Sequence, residues 1–503
     1  MSRPLPPIAQ AAPITRGLII NGSEAPARSG ETFAVYNPAS ASIVGYAAKA
    51  DRADVERAVT SARTAAQVWA ALSPAERERA LLRAADIVEA EADSLIDLCI
   101  DESGSTLSKA RFEARYTSTL IRAAAGEVRR LYGDTFPNDR PHRLSLVVRE
   151  PLGVVAAISP FNSPIALFAK MIVFAIAAGN SMIAKPSEET PLTALALASL
   201  INRALPGGVL NIITGYGPDT GAALVEHPGI DGIAFTGSTQ TGIAIGQAAM
   251  KTMKRVQLEL GGKNPLVVLN DAADPPIGLE RAAAIAAVGA FFHGGQICMS
   301  NTRIIAERGI AHDFAHALAR RAEALHLGDL RDERTAYGPL INLRAVEKVE
   351  RHLRIAREAG AELLTGGQRL DGLRFQPTVL LAPAQPERLL ASETWHEETF
   401  GPVVVVVEAR DLDHAVALAN DSDYGLSAAV LTNDLQRGLL AARRIRAGSV
   451  HVGAIHAYQS DALAPIGGYG YSGIGRSGGR YTVEHFTEQK WISIELGEPP
   501  LPF

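Results

Sequence analysis

The chain runs to 503 residues, too many for one hydrophobic core, so two or three domains are expected. It is 47% hydrophobic and 20% charged, an ordinary balance for a soluble protein, and its formal charge of −5 offers nothing to nucleic acid or an anionic membrane. Two cysteines, Cys99 and Cys298, cannot build a disulfide framework and fit a reducing cytoplasm.

Residues 1–20 carry prolines and arginines without a continuous apolar run, so no secretory signal is expected there. Helical periodicity with polar outer faces over 52–70, 74–92 and 105–131 predicts a mostly helical N-terminal region. Residues 144–149 alternate like an exposed strand. From 154 onward, short β-like runs at 154–158, 181–184, 209–213 and 230–235 alternate with helices at about 164–178 and 191–204. The most apolar stretch, 165–178, is interrupted by Lys170 and is too short to span a bilayer. Strands alternating with helices predict a parallel α/β sheet covered on both faces. A second α/β set follows Gly262, with strands expected at 265–269, 303–306, 403–407 and 448–452. The segment 490–496 alternates as 144–149 does, and two such ribbons outside the main domains suggest edges paired in an oligomer. No repeat at a fixed period and no low-complexity tract is present.

The chemistry concentrates in glycine-rich turns. Leu258-Glu259-Leu260-Gly261-Gly262-Lys263 sets a carboxylate at the mouth of an apolar run, where desolvation would raise its pKa and poise it to deprotonate water. Taken alone, such a glutamate is more often an exposed face or an ion-pair partner. Phe292-His293-Gly294-Gly295-Gln296-Ile297-Cys298-Met299 sets a thiol in a second such turn, closing a helix rich in Ala and Phe. A free cysteine is usually a small buried hydrophobe. Cys99, in the helical run Leu95-Ile96-Asp97-Leu98-Cys99-Ile100 with no glycine nearby, fits that description. In the polar turn of Cys298, backbone dipoles would activate a thiolate, and the glycines allow close backbone approach or φ > 0. Together Cys298 and Glu259 read as the nucleophile and base of covalent thioester chemistry.

Other motifs suit a nucleotide. The run Ile233-Ala234-Phe235 enters Thr236-Gly237-Ser238-Thr239-Gln240-Thr241-Gly242 and a helix to Met250, offering N–H groups and a hydroxyl to a pyrophosphate. A formal G-x-G-x-x-G at Gly473, Gly475 and Gly478 is rejected as a dinucleotide site, because it follows a glycine-rich loop rather than a strand. Lys185-Pro186-Ser187-Glu188 offers an ammonium and a carboxylate to ribose hydroxyls, although most such pairs at turns are merely solvated. Asn162, in Pro160-Phe161-Asn162-Ser163-Pro164, either donates to a developing oxyanion or makes an Asx turn, the stronger option on this stretch alone.

In this order, and with Glu397-Glu398-Thr399-Phe400-Gly401-Pro402 and a closing Ser472-Gly473-Ile474-Gly475-Arg476-Ser477-Gly478-Gly479 loop, the motifs resemble the aldehyde dehydrogenase superfamily from about residue 19 to the C-terminus. The resemblance implies an α/β protein with a Rossmann-type NAD(P)-binding domain (1–137 and 155–263), an α/β catalytic domain (264–475) and a small β-ribbon oligomerisation arm (138–154 and 476–503), assembled as a homodimer or homotetramer. It implies that Cys298 attacks an aldehyde carbonyl and that the Asn162 side chain and the Cys298 backbone N–H hold the oxyanion. Hydride would then pass to the nicotinamide, leaving a thioester that Glu259-activated water releases as the acid. Ser159, Lys185, Glu188, Gly237, Ser238, Gly242, Glu398 and Phe400 would bind the cofactor. Lys185 and Glu188 would sit at the adenosine ribose, Ser238 at the pyrophosphate, and Glu398 with Phe400 around the nicotinamide ribose and ring. A glutamate at position 188 usually favours NAD by repelling the 2′-phosphate of NADP, although some members with it accept both. No metal is implied. Glu259 argues against the CoA-acylating branch, which commonly lacks the base, and the presence of Cys298 and Asn162 argues against a non-catalytic relative.

Three departures stand out. The segment between Glu259 and Cys298 is a few residues longer than usual, around Asp274-Pro275-Pro276-Ile277-Gly278; Phe161 replaces a commoner tryptophan; and a late Pro-Phe-Gly-Gly motif reads Pro465-Ile466-Gly467-Gly468, which would widen the substrate tunnel. The cysteine motif and the tail from Glu484 to Ile492 resemble the bacterial group that oxidises benzaldehyde, vanillin or salicylaldehyde. Phe161, Ile297, Met299, Tyr458 and Ile466 would wall a flat ring. Medium-chain aliphatic aldehydes suit the same wall, and a semialdehyde would want an arginine that the sequence does not place.

Overall fold

Val154–Ile158, Ser181–Lys185, Leu210–Ile212, Gly232–Thr236 and Arg255–Glu259 pair side by side in parallel, and the first of them is the unbroken Val, Ala and Ile run expected of a strand with helices over both faces of its sheet. The computed structural model describes residues 13–498, so the expected lack of a signal over 1–20 and the outermost ends of the 1–137 and 476–503 segments fall partly outside the described residues. In the sheet, Val154–Ile158 is central. The next two strands extend to one side, and Gly232–Thr236 and Arg255–Glu259 to the other. The strand order therefore reverses between Val154–Ile158 and Gly232–Thr236. The hairpin of Leu18–Ile20 and Ser23–Ala25 closes one edge and Gly473–Ile474 the other, both in antiparallel fashion.

A second sheet has Asn301–Glu307 at its centre, flanked by Asn264–Val268, Ser427–Leu431 and Ser449–Val452 on one side and Val403–Ala409, Thr378–Leu381 and Glu362–Thr365 on the other. All pairs are parallel except the outermost, Glu362–Thr365 on Thr378–Leu381. The two exposed ribbons pair with each other, Thr487 opposite Pro151 through to Glu495 opposite Arg143.

The helices expected near 52–70, 74–92 and 105–131 are Arg52–Ala71, Pro74–Ala90 and Leu107–Val128. Asp51 and Ser73 each start their helix with a capping box, and Pro74 occupies the first turn where it costs no hydrogen bond. The stretch before them holds five strands of three to six residues that the sequence reading missed, because runs so short show no period. Two helices of the first sheet, Ala166–Ala177 and Pro191–Asn202, lack side-chain caps of their own. Buried glutamates from the N-terminal helices supply them. Glu113 accepts from the N–H groups of Ile165 and Ala166, and Glu102 from those of Leu192 and Thr193. Burial pushes the Glu102 carboxyl up to about 8 despite those bonds. In the second sheet, buried Arg303 binds the carbonyls of Lys263, Leu418, Ala419 and Asp421, tying the strand to the end of the Leu412–Asn420 helix.

Candidate active site

Strand register gathers the motifs. Ile158 is opposite Lys185 and Phe235, and Thr236 is opposite Glu259, so four strands end in one row. The turns after them share one edge of the sheet, where the strand order reverses. Doubly wound sheets bind ligands at such a point. A cleft of about 950 Å³ opens there, and its wall carries Phe161, Asn162, Cys298 and every expected cofactor residue except Gly242. Gly242 is buried, and a Cβ on it would stand 2.9 Å from Leu260 Cδ1, so it serves helix packing.

The helix Leu279–Phe291 ends before the cysteine rather than at it. His293, Gly294 and Gly295 take left-handed conformations (φ 52°, 62° and 73°) that turn the chain. Asn264 Nδ2 then donates to the Cys298 carbonyl at 2.7 Å and to that of Ser300 at 3.0 Å. Gly261 and Gly262 are needed for close approach, not for positive φ. A Cβ on Gly262 would lie 2.5 Å from the Cys298 carbonyl oxygen, and one on Gly261 2.7 Å from Glu398 Oε2. The Gly262 N–H donates to Glu398 Oε1 at 3.0 Å. Three motifs far apart in sequence thus interlock through two missing side chains. Asn162 does not make the Asx turn. Its Nδ2 donates to the Gln296 carbonyl at 2.8 Å, which leaves one N–H uncommitted, and its Oδ1 has no partner.

Burial and the carboxylates of Glu398 and Glu259 push the Cys298 thiol up to about 12. Desolvation and the two acidic neighbours thus oppose the thiolate that its own N–H and the turn's dipoles would favour. Glu259 does not itself line the cleft, although Leu260 and Gly261 next to it do. Its Oε1 has no hydrogen-bond partner and lies 3.1 Å from the place a Cβ on Gly467 would take. Burial raises its pKa, as expected, against the pull of Lys170 and Arg476. Burial likewise lowers that of Lys170, whose charge is a buried neighbour of Glu259 as well as a break in an apolar helix.

On the cofactor side, Lys185 Nζ donates to the Pro186 carbonyl at 2.9 Å and to Glu188 Oε2 at 3.3 Å. The Ser238 hydroxyl caps the Thr239–Met250 helix, accepting from the Thr241 N–H at 3.3 Å and donating to Thr241 Oγ1 at 2.9 Å. What it offers the cleft is thus a helix N-terminus rather than a free hydroxyl hydrogen. Phe400, held at φ 54°, meets Phe161 edge-on at 5.9 Å. Lys348 also lines the cleft and draws the raised pKa of Glu398 back down; nothing in the sequence marked it.

Ile297, Met299 and Tyr458 cluster with Cys298, joined by Phe292 and Leu426. Tyr458 stacks between Phe292 at 5.3 Å and His456 at 6.2 Å. Phe292 was visible in the motif before the paired glycines, whereas Leu426 and His456 lie in segments with no signal of their own. Phe161 belongs with Phe400 instead. Ile466 joins neither group: its backbone bridges to Ser477, next to Gly467, whose Cβ position would face the Glu259 carboxylate.

The family model "Aldehyde dehydrogenase family" matches residues 25–492. A vanillin dehydrogenase of Pseudomonas fluorescens is 36% identical over 489 residues, covering 96% of this chain and 99% of its own. The crystal structure of an NAD-dependent aldehyde dehydrogenase from Sinorhizobium meliloti superposes with a TM-score of 0.93 at 36% identity, covering 97% of this chain and 96% of that one. A betaine aldehyde dehydrogenase from Staphylococcus aureus, solved in complex with NAD+, gives 0.92 at 31% identity over 97% of this chain and 96% of that one.

Proposed function

The chain belongs to the aldehyde dehydrogenase family, and from that premise we propose that it oxidises an aromatic aldehyde to the carboxylic acid, with NAD as electron acceptor and Cys298 as nucleophile. The observation that carries this reading is a single cleft wall that holds Cys298, Asn162, the Lys185–Glu188 pair and the Ser238 helix start.

The residues present fit a dinucleotide. Lys185 and Glu188 suit ribose hydroxyls, the Thr239–Met250 N-terminus suits a pyrophosphate, and Glu398 with the Phe400 ring occupies the wall shared with Cys298. When bound, NAD supplies a two-electron acceptor. The chain does the rest. Glu259 takes the thiol proton as the sulfur of Cys298 bonds to the carbonyl carbon, and the uncommitted Asn162 N–H and the Cys298 backbone N–H steady the oxygen that gains charge. Once Glu259 has released the thiol proton to solvent and the acyl group is on sulfur, it takes a proton from water. The hydroxide so formed displaces the cysteine as its thiolate, which regains the proton from Glu259. The Phe292–Tyr458–His456 stack beside Ile297 and Met299 supports a flat aromatic substrate. The vanillin-oxidising relative supports it independently.

The two large sheets and the ribbon sheet, three of five sheets among the described residues, support a cofactor domain of 1–137 and 155–263, a catalytic domain of 264–475 and an arm of 138–154 and 476–503. Exposed Trp491, Ile492 and Ile494 on the outer ribbon support assembly into a homodimer or homotetramer. No helix among the described residues is long and apolar enough to cross a membrane. Two free cysteines support a cytoplasmic setting.

NADH formation across substituted benzaldehydes, medium-chain aliphatic aldehydes and semialdehydes tests the proposal. Benzaldehydes should show the highest kcat/KM; a clear lead for either other class would replace the substrate assignment. Run with both cofactors, the same assay should favour NAD over NADP, and Glu188→Gln should narrow that preference by about tenfold. A native preference for NADP would remove the reading of Glu188.

A further inference from the structure

Asn162 is braced by a buried pair that the reaction above does not use. Lys109 and Glu113, one turn apart on the Leu107–Val128 helix, form an ion pair with almost no solvent exposure. All three ammonium donors of Lys109 are spent: on Glu113 Oε1, on Ser105 Oγ at 3.0 Å and on the backbone carbonyl of Asn162 at 2.8 Å. Both Glu113 oxygens are spent too, Oε1 on Lys109 and Oε2 on the N–H groups of Ile165 and Ala166, each at 3.2 Å. The pair therefore grips the segment from Asn162 to Ala166 at both ends. A third hold comes from the nucleophile's own turn, through the Gln296 carbonyl. Gln296 is anchored in turn, donating to the carbonyls of His293 and Pro339 at 3.2 Å each and accepting from the Ile341 N–H at 3.0 Å.

Burying two charges costs desolvation that an apolar pair of equal volume would avoid. Packing alone does not call for an ammonium here, whereas directing a carbonyl and two N–H groups does. We propose that Lys109 and Glu113 are positioning residues for Asn162, holding its turn so that the N–H left over from Gln296 stays available beside Cys298. The inference rests on Asn162 serving the oxyanion in the function proposed above.

The test is a double-mutant cycle in the full-length enzyme with saturating NAD and benzaldehyde. Lys109→Met should lower kcat by about 10- to 100-fold, with KM and NAD affinity within about twofold of wild type. In an Asn162→Ala background the same change should add less than about twofold, because there is no longer an amide to position. A full multiplicative loss in that background, or an unchanged kcat in the single variant, overturns the proposal. Should Lys109→Met fail to fold, as judged by NAD binding and circular dichroism, Glu113→Gln enters the same cycle with the same expected outcomes. Asn162→Ala alone separates the two ideas. Normal turnover there removes the oxyanion role and the inference with it. An impaired Asn162→Ala combined with an additive Lys109 effect removes the inference only.

Discussion

Burial pushes the thiols of Cys99 and Cys298 up to about the same value, near 12, and in each case a carboxylate adds to the rise. Resting acidity does not separate the two, and neither does the presence of an acidic neighbour. Their difference lies in what those neighbours are free to do. Cys99 is fully buried in the Asp93–Ser103 helix, with the Ser103 hydroxyl 3.7 Å from its sulfur. Its carboxylate neighbour, Glu113, has both oxygens committed to Lys109 and to helix N–H groups. Cys298 lines a cleft of about 950 Å³, and the Oε1 of its neighbour Glu259 has no partner. On the proposed mechanism, Cys298 is set apart by a route to a substrate and a carboxylate with an empty oxygen, not by its acidity at rest.

The sharpest way to break this comparison is to remove each sulfur. Cys298→Ala should lower NADH formation by roughly 10⁴-fold or more while leaving NAD binding intact, measured by single-turnover kinetics and fluorescence titration. Retained turnover would end the covalent mechanism. Replacing the base comes next in size. Glu259→Gln should cost about 10²- to 10⁴-fold in kcat, and intact-protein mass spectrometry should find an acyl group on Cys298. Release of acid at the native rate would assign the base elsewhere.

The pH dependence follows from the same carboxyl group. Burial holds Glu259 above the ordinary carboxylate range, so at neutral pH its protonated form is enriched and only the ionised form can take a proton. Turnover should therefore rise toward alkaline pH, and that rise should vanish in Glu259→Gln. For stability the sign is opposite. Glu259 and Glu102, both raised on folding, favour the folded state most below the unfolded glutamate pKa of about 4.3. That contribution is lost as pH rises, for Glu102 through about 8. Alkaline conditions thus activate the enzyme while loosening it. A thermal midpoint that climbs steadily from pH 5 to pH 9 would contradict this.

The cofactor side of the cleft was the more legible half. The motifs at Ser159, Lys185 and Ser238 sit at strand ends, and parallel register alone brings Ile158, Lys185, Phe235 and Glu259 to one edge. Local sequence carries that information, since a short apolar run followed by a turn marks a strand end. The nucleophile side depends on contacts between distant segments. Nothing near Gly261 announces Glu398, nothing near Asn162 announces Lys109, and Phe292, Tyr458 and His456 meet only in three dimensions. The opposition to a thiolate at Cys298 was hidden for the same reason. A turn's own dipoles can be read from its glycines, but the burial and acidic neighbours that outweigh them cannot.

The smallest effect belongs to Cys99, and it tests the other half of the comparison. Its side chain sits at 0% exposure in the core that joins the N-terminal helices to the first sheet. Cys99→Ala removes one buried sulfur and leaves a small void, which should cost about 1–2 kcal/mol in denaturant unfolding and change kcat by less than about twofold. Iodoacetamide should label Cys298 in the native protein and reach Cys99 only after unfolding, as peptide mass spectrometry would report. The base at Cys298 and the closed packing at Cys99 both predict that order, so labelling of Cys99 in the folded enzyme at a rate near that of Cys298 would show that access and a free carboxylate oxygen are not what divide the two thiols.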